Sequence, residues 1–355
     1  MSRTRSFRTT ILTAVLGAAL VVPGFGGGSA SAAPVPVRGS VEATAAAPRP
    51  ACATPFPASF VASLARDFPR QRVTASVHDT RTGCWYELHP GLRITTASTI
   101  KASVMGAVLL RAQDRRRGLT AWERHRIRPM ITYSYNNPYV SDLLYRVGGV
   151  RGMNRFDRRM GATRTTNSLA YGATWTTARD RTRIALGLLH PGGPLKAAGR
   201  AEAWRYLTAV TPTQRWGITA GVPRGWQVGL KNGFYPMRGY GWRVGSTGFV
   251  RRAGSAEGYA VTVLTDRNTS QVGGIRIVER VSRQVAAALT DGAAAPRVVD
   301  RSRCVTARSG QTWRQVAVAV GRPARRWADV RRVSGGNPTP LRGQRVCSPS
   351  LRPRT

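Results

Sequence analysis

The sequence predicts an α+β fold: an antiparallel sheet assembled from both ends of one domain, flanking helices, and a helical lobe inserted between the strands. Three observations predict it. Residues 72–79 and 84–89 read as strands about a short turn, with Val73, Ala75 and Val77 on one face of the first. Residues 98–114, 141–147, 150–160, 177–189 and 200–210 then repeat apolar positions at helical spacing. Strand patterns return at 226–234, 242–251 and 259–266, before a last helix at 275–289. Strands split around a helical insertion are best satisfied by one sheet built from both ends.

The elements follow in order. Arg3, Arg5 and Arg8 precede a twelve-residue apolar stretch, 11–22, and Ala30-Ser31-Ala32 has the form of an export cleavage site. Residues 1–32 are therefore expected to be a signal peptide, and the mature chain to be secreted. Twelve apolar residues are fewer than the roughly 20 that a helix needs to cross a bilayer, and no later stretch is longer, so no membrane span is expected. Residues 33–51, rich in Pro and Ala, read as a disordered lead-in. Residues 56–68 carry a helical pattern, and Arg81-Thr82-Gly83 turns the first strand back toward it. Four cysteines in an exported chain favour two disulfides, for which three pairings exist. Pairing within each composition block, Cys52 with Cys84 and Cys304 with Cys347, is the expectation. No Cys-x-x-Cys occurs and the four His have no ligand spacing, so neither a metal nor a cofactor is expected. The main domain is assigned to 52–291, a linker to 292–302, and a small basic module to 303–355.

The 355-residue chain has room for two domains and, at 42% hydrophobic residues, enough apolar material for a large core. Its 55 basic residues against 16 acidic ones favour anionic partners such as cell-wall polymers, and exclude a calcium-collecting protein. Mutational bias toward Arg codons is the main reading of this excess, and no specific nucleic acid is expected. Only three basic residues are Lys: Lys101, Lys196 and Lys231. Arginine cannot give up its proton, whereas a buried lysine can. A retained lysine therefore marks a place where guanidinium will not serve.

Ser98 and Lys101 stand at i and i+3 at the start of the 98–114 helix, on one face. A serine hydroxyl needs a base, and a lysine qualifies when burial or a second cation lowers its pKa. Ser134-Tyr135-Asn136 and Lys231-Asn232-Gly233 follow. The order S-x-x-K, S-x-N, K-x-G resembles the penicillin-recognising serine hydrolases, the serine β-lactamases and D-alanyl-D-alanine peptidases. The likeness runs from about residue 55 to 289. It implies a β-lactamase/transpeptidase-like fold with Ser98 as acylated nucleophile, Lys101 as its base, and Ser134 sharing protons with it. It further implies that Asn136 binds the substrate amide, that Lys231, with Asn232, meets a carboxylate, and that Gly233 lets the backbone approach. The N–H groups of Ser98 and Phe234 would hold the oxyanion. Lys196, in a Pro/Gly-rich stretch, reads as a solvated charge.

Three departures qualify the resemblance. Residues 161–175, where class A β-lactamases carry the Glu that activates the deacylating water, contain no Asp or Glu. The stretch between Ser98 and Ser134 is short, so an open cleft is expected. Tyr135 and Asn232 replace the usual Asp and Thr. Efficient β-lactam turnover is therefore doubtful.

The last segment, with Ser309-Gly310-Gln311-Thr312-Trp313, Asn337-Pro338 and residues 341–346, resembles a βααβ LysM module. That likeness implies binding to peptidoglycan and attachment to the cell wall. The function expected is a monomeric secreted serine hydrolase acting on a β-lactam or an acyl-D-Ala-D-Ala-like substrate. The alternative is a catalytically degenerate protein that binds the wall polymer.

Overall fold

The computed structural model describes residues 52–290, 304–334 and 337–348. The expected signal peptide, the lead-in and the linker lie outside the described residues. Helix Ala58–Asp67 (α1) precedes strands Arg72–Asp79 (β1) and Trp85–Leu88 (β2). Strand Arg93–Thr95 (β3) leads through one 3-10 turn, Ala97–Thr99, into helix Ile100–Asp114 (α2). The lobe continues through Ala121–Thr132 (α3), Tyr139–Val147 (α4) and Gly149–Arg159 (α5). Strand Trp175–Thr177 (β4), paired with β3, is followed by Ala178–Leu189 (α6) and Ala197–Thr208 (α7). Long strands Trp226–Met237 (β5), Gly241–Arg252 (β6) and Gly258–Asn268 (β7) precede Gln271–Leu289 (α8).

The sheet order is β2-β1-β7-β6-β5, every neighbour antiparallel. Early and late strands meet where β1 pairs β7, with Val73 opposite Thr265 and Val77 opposite Val261. The expected sheet from both chain ends is thus present. Strand β7 is buried along nearly its whole length because α6 and α8 both pack on it. Helix α2 is apolar on almost every side, from Ile100 to Ala112, as a helix running through a core must be. Its first turn is thereby held rigidly, and Lys101 is carried into the interior with it. None of the described helices is long and apolar enough to cross a membrane.

Helix α3 was absent from the expected helices, although its start is written in the sequence. Thr120 Oγ1 accepts from the Glu123 N–H, and the Glu123 carboxylate accepts from the Thr120 N–H, a reciprocal cap. Glu123 is sealed from solvent and takes two hydrogen bonds from Arg117 at 2.8 Å. Burial opposes its charge, yet the Arg117 and Thr120 hydrogen bonds hold its pKa down to about 2. Glu123→Ala is expected to lower stability by about 2 kcal/mol, since it removes the hydrogen bonds from Arg117 and opens the cap. The folded-state pKa lies below the ordinary 4.5, so this contribution is present above that value and is lost as pH falls toward about 2. Urea unfolding at neutral pH checks it; a loss under about 0.5 kcal/mol, typical of an indifferent surface site, would count against it.

The C-terminal module comprises Cys304–Thr306 (β8), Trp313–Ala319 (α9), Trp327–Val333 (α10) and Arg345–Cys347 (β9). Its two strands pair antiparallel, with Cys304 opposite Cys347 and bridged to it. The other disulfide joins Cys52 to Cys84, so both expected pairings are present. Trp313, Val316, Ala317, Val330 and Val346 form a small core of the module's own. It also rests directly on the main domain. The Gln271 N–H donates to the Gly343 carbonyl at 3.2 Å, and Gln271 Oε1 accepts from the Arg345 N–H at 2.8 Å. Leu341 packs against the main core.

Candidate active site

Ser98 lies in the 3-10 turn that opens α2, partly exposed, after Ala97 with a left-handed φ of 46°. One turn on, Lys101 Nζ sits 3.0 Å from Ser98 Oγ, 3.2 Å from Ser134 Oγ and 2.8 Å from Asn136 Oδ1. It also reaches the Ser134 carbonyl at 2.6 Å. Ser134 stands in the left-handed region as well, at φ 62°, which turns both its carbonyl and its hydroxyl toward the amine. Lys231 Nζ donates to Ser134 Oγ at 3.0 Å from the other side. One serine hydroxyl therefore lies between two buried lysines. Burial, and then repulsion from Lys231, push the Lys101 pKa well below the usual lysine value. Burial brings Lys231 down to about 7. Two of the three lysines are thus in one constellation; Lys196 is exposed before α7.

Strand β5 comes against the Ser98 turn through Gly233. A β-carbon there would stand 2.8 Å from the Ser98 nitrogen and 2.6 Å from the Thr99 nitrogen, so only glycine fits. Phe234, next on the strand, reaches the cleft beside Ser98. Asn232 does not. Its amide is buried and donates to the carbonyls of Gln214 (2.6 Å) and Trp216 (3.1 Å), so it braces the neighbouring loop. The contact to a substrate carboxylate expected of Asn232 is not available from this position, because two carbonyls already use its N–H groups.

Residues 161–175 cross the floor of the site without a carboxylate. Asp180, in the first turn of α6, pins the loop's start by accepting from the Arg164 N–H at 2.7 Å and Thr165 Oγ1 at 2.8 Å. The loop instead presents Tyr171, whose hydroxyl donates to Asn136 Oδ1 at 3.3 Å and whose pKa burial raises. Tyr171 was missed by sequence reasoning: a single tyrosine among Ala and Gly has no periodicity to mark it. Tyr135 lines the cleft, as does Trp175. Trp204, Trp216 and Trp242 are core residues.

The cleft before Ser98 has a volume of about 1150 Å³. The open cleft expected from the short stretch after Ser98 is bordered on one side by a second surface. Trp327, Asn337 and Leu341 of the C-terminal module line its far side, because Gln271 and Leu341 hold that module against the domain. Asn136 Nδ2 donates to Asn337 Oδ1 at 3.4 Å across the gap.

A family model described as "Beta-lactamase enzyme family" matches residues 123–289. Among solved structures, an ancestral (GNCA) class A β-lactamase is 24% identical, with 65% of this chain and 99% of that one covered at a TM-score of 0.56. A β-lactamase from Streptosporangium roseum is 22% identical, covering 65% and 97% at 0.55. A mutant of PBP-A, solved as its acyl-enzyme with penicillin G, is 20% identical, covering 65% and 94% at 0.55. No curated protein matches the sequence. The fold is that of class A β-lactamases and penicillin-binding proteins: an antiparallel sheet with helices and a helical lobe.

Proposed function

We propose that this protein is a secreted serine acyl-hydrolase of the penicillin-recognising kind, acylated at Ser98. The observation that carries the reading is the Lys101 amine, buried, depressed in pKa and 3.0 Å from Ser98 Oγ. Neutral Lys101 takes the Ser98 proton as Oγ attacks the substrate carbonyl. The oxyanion is held by the backbone N–H groups of Ser98 and Phe234. Ser134 passes a proton between the amines and the departing nitrogen, which leaves protonated. Asn136 binds the substrate amide, and Lys231, while charged, its carboxylate. A β-lactam or a peptide ending in D-Ala-D-Ala fits these requirements. Because residues 161–175 hold no carboxylate to activate water, the acyl-enzyme is long-lived and is released slowly or to an amine acceptor. The C-terminal module attaches the protein to peptidoglycan.

The test is incubation with fluorescent penicillin. One label per chain, on the peptide that bears Ser98, with slow nitrocefin turnover, is the expected result. A folded protein that takes no label would overturn the reading in favour of a degenerate wall-binding protein.

The two amines set opposite limbs of the pH profile. Acylation rises with pH as Lys101 loses its proton and falls through about 7 as Lys231 loses its charge. They share Ser134, so each limb belongs to the pair. Lys231→Arg, which stays charged, is expected to abolish the basic limb while lowering the maximum. A rate that still falls near 7 in that variant would assign the limb elsewhere.

A further inference from the structure

We infer that the C-terminal module is the second wall of the reactive cleft, and that Trp327 and Asn337 determine which acyl substrates reach Ser98. The inference rests on the acyl-hydrolase reading of Ser98 and adds the substrate class: a saccharide-linked peptide, favoured over a compact β-lactam.

Three observations converge. The module is clasped to the domain at Gln271, whose N–H and side-chain oxygen both bond to its backbone, and Leu341 is anchored in the main core. A wall held at these points has a fixed position relative to Ser98. The cleft between domain and module, about 1150 Å³, exceeds the roughly 300–1000 Å³ of ordinary small-ligand pockets. A bicyclic β-lactam leaves much of it empty. The surfaces that face each other across it are aromatic: Tyr135, Tyr171 and Trp175 from the domain, Trp327 from the module. Such faces pack against the apolar faces of sugar rings and leave the ring hydroxyls for polar neighbours.

Asn337 adds a specific element. Its carboxamide oxygen accepts from Asn136 Nδ2, the nitrogen that would bind the substrate amide. A substrate competes with this contact. A long one recovers the loss through Trp327, and a compact one does not.

The test compares two probes on the full chain: a fluorescent disaccharide-pentapeptide, bound reversibly to Ser98→Ala protein and read by anisotropy, and fluorescent penicillin, read as the acylation rate of protein with Ser98 intact. Trp327→Ala is expected to weaken disaccharide-peptide binding about tenfold and to lower the preference for it over penicillin by a similar factor. Asn337→Ala, an independent variant should Trp327→Ala fail to fold, is expected to raise the penicillin rate two- to fivefold and so shift the same preference. An unchanged preference in both variants, or loss of both probes by one common factor, would overturn the wall. Binding of the disaccharide-peptide that depends on Trp327, in a protein that penicillin never labels, would support the wall and defeat the acyl-enzyme reading.

Discussion

Replacing Lys101 by arginine is expected to slow acylation of Ser98 by about 10³-fold, within the range that loss of a general base produces. The substitution keeps a cation and its donors at the site, so it isolates the proton acceptor from the positive charge. Guanidinium holds its proton at any pH a protein survives. The native amine is different because it is wholly buried and faces Lys231 through one hydroxyl. Burial, and then the charge on Lys231, disfavour its proton, so the cheapest proton to lose is the one on Lys101. A pH–rate curve separates the outcomes: the arginine variant should be slow throughout, with no rise where the native enzyme rises. A rate within tenfold of native would mean that Lys101 acts only as a charge, and that the base is another group.

Gly233→Ala is the second large effect expected. The added methyl would meet the backbone nitrogens of Ser98 and Thr99 and the Thr96 carbonyl, all inside 3.0 Å. None of these is the end of a flexible side chain, so either β5 or the nucleophile turn must shift. Overpacking of this kind costs about 1–3 kcal/mol. A displacement approaching 1 Å at the reacting serine can cost about 100-fold in rate. Acylation should therefore fall far more than the folded fraction does. Urea unfolding run beside penicillin labelling distinguishes the two: a rate loss no larger than the loss of folded protein would leave Gly233 a packing residue only.

How much of this was legible depended on whether the signal was local. Ser98 and Lys101 are three residues apart at the opening of one helix, and strand patterns on both sides of the helical block point to one sheet built from both ends. Both could be read in advance. The orientation of Asn232 could not, because the carbonyls that capture its amide belong to Gln214 and Trp216, in a loop with no pattern of its own. Helix α3 was legible through Thr120 and Glu123, but its mean polarity hid it from a search for apolar periodicity. The placing of the module beside the cleft was out of reach for a third reason. It depends on Gln271 meeting Gly343 and Arg345 across some seventy residues, with polar groups that carry no repeat.

Ala97 and Ser134 have left-handed backbones although neither is glycine. Such a conformation costs an L-residue about 1–2 kcal/mol. Selection for stability alone would move both positions toward glycine or asparagine, and the rest of the fold would scarcely notice. A lineage that ceased to use this cleft would therefore change first at these two sites, while its core still looked intact. Their identity in any descendant sequence is an inexpensive indicator of whether the chemistry is still in use.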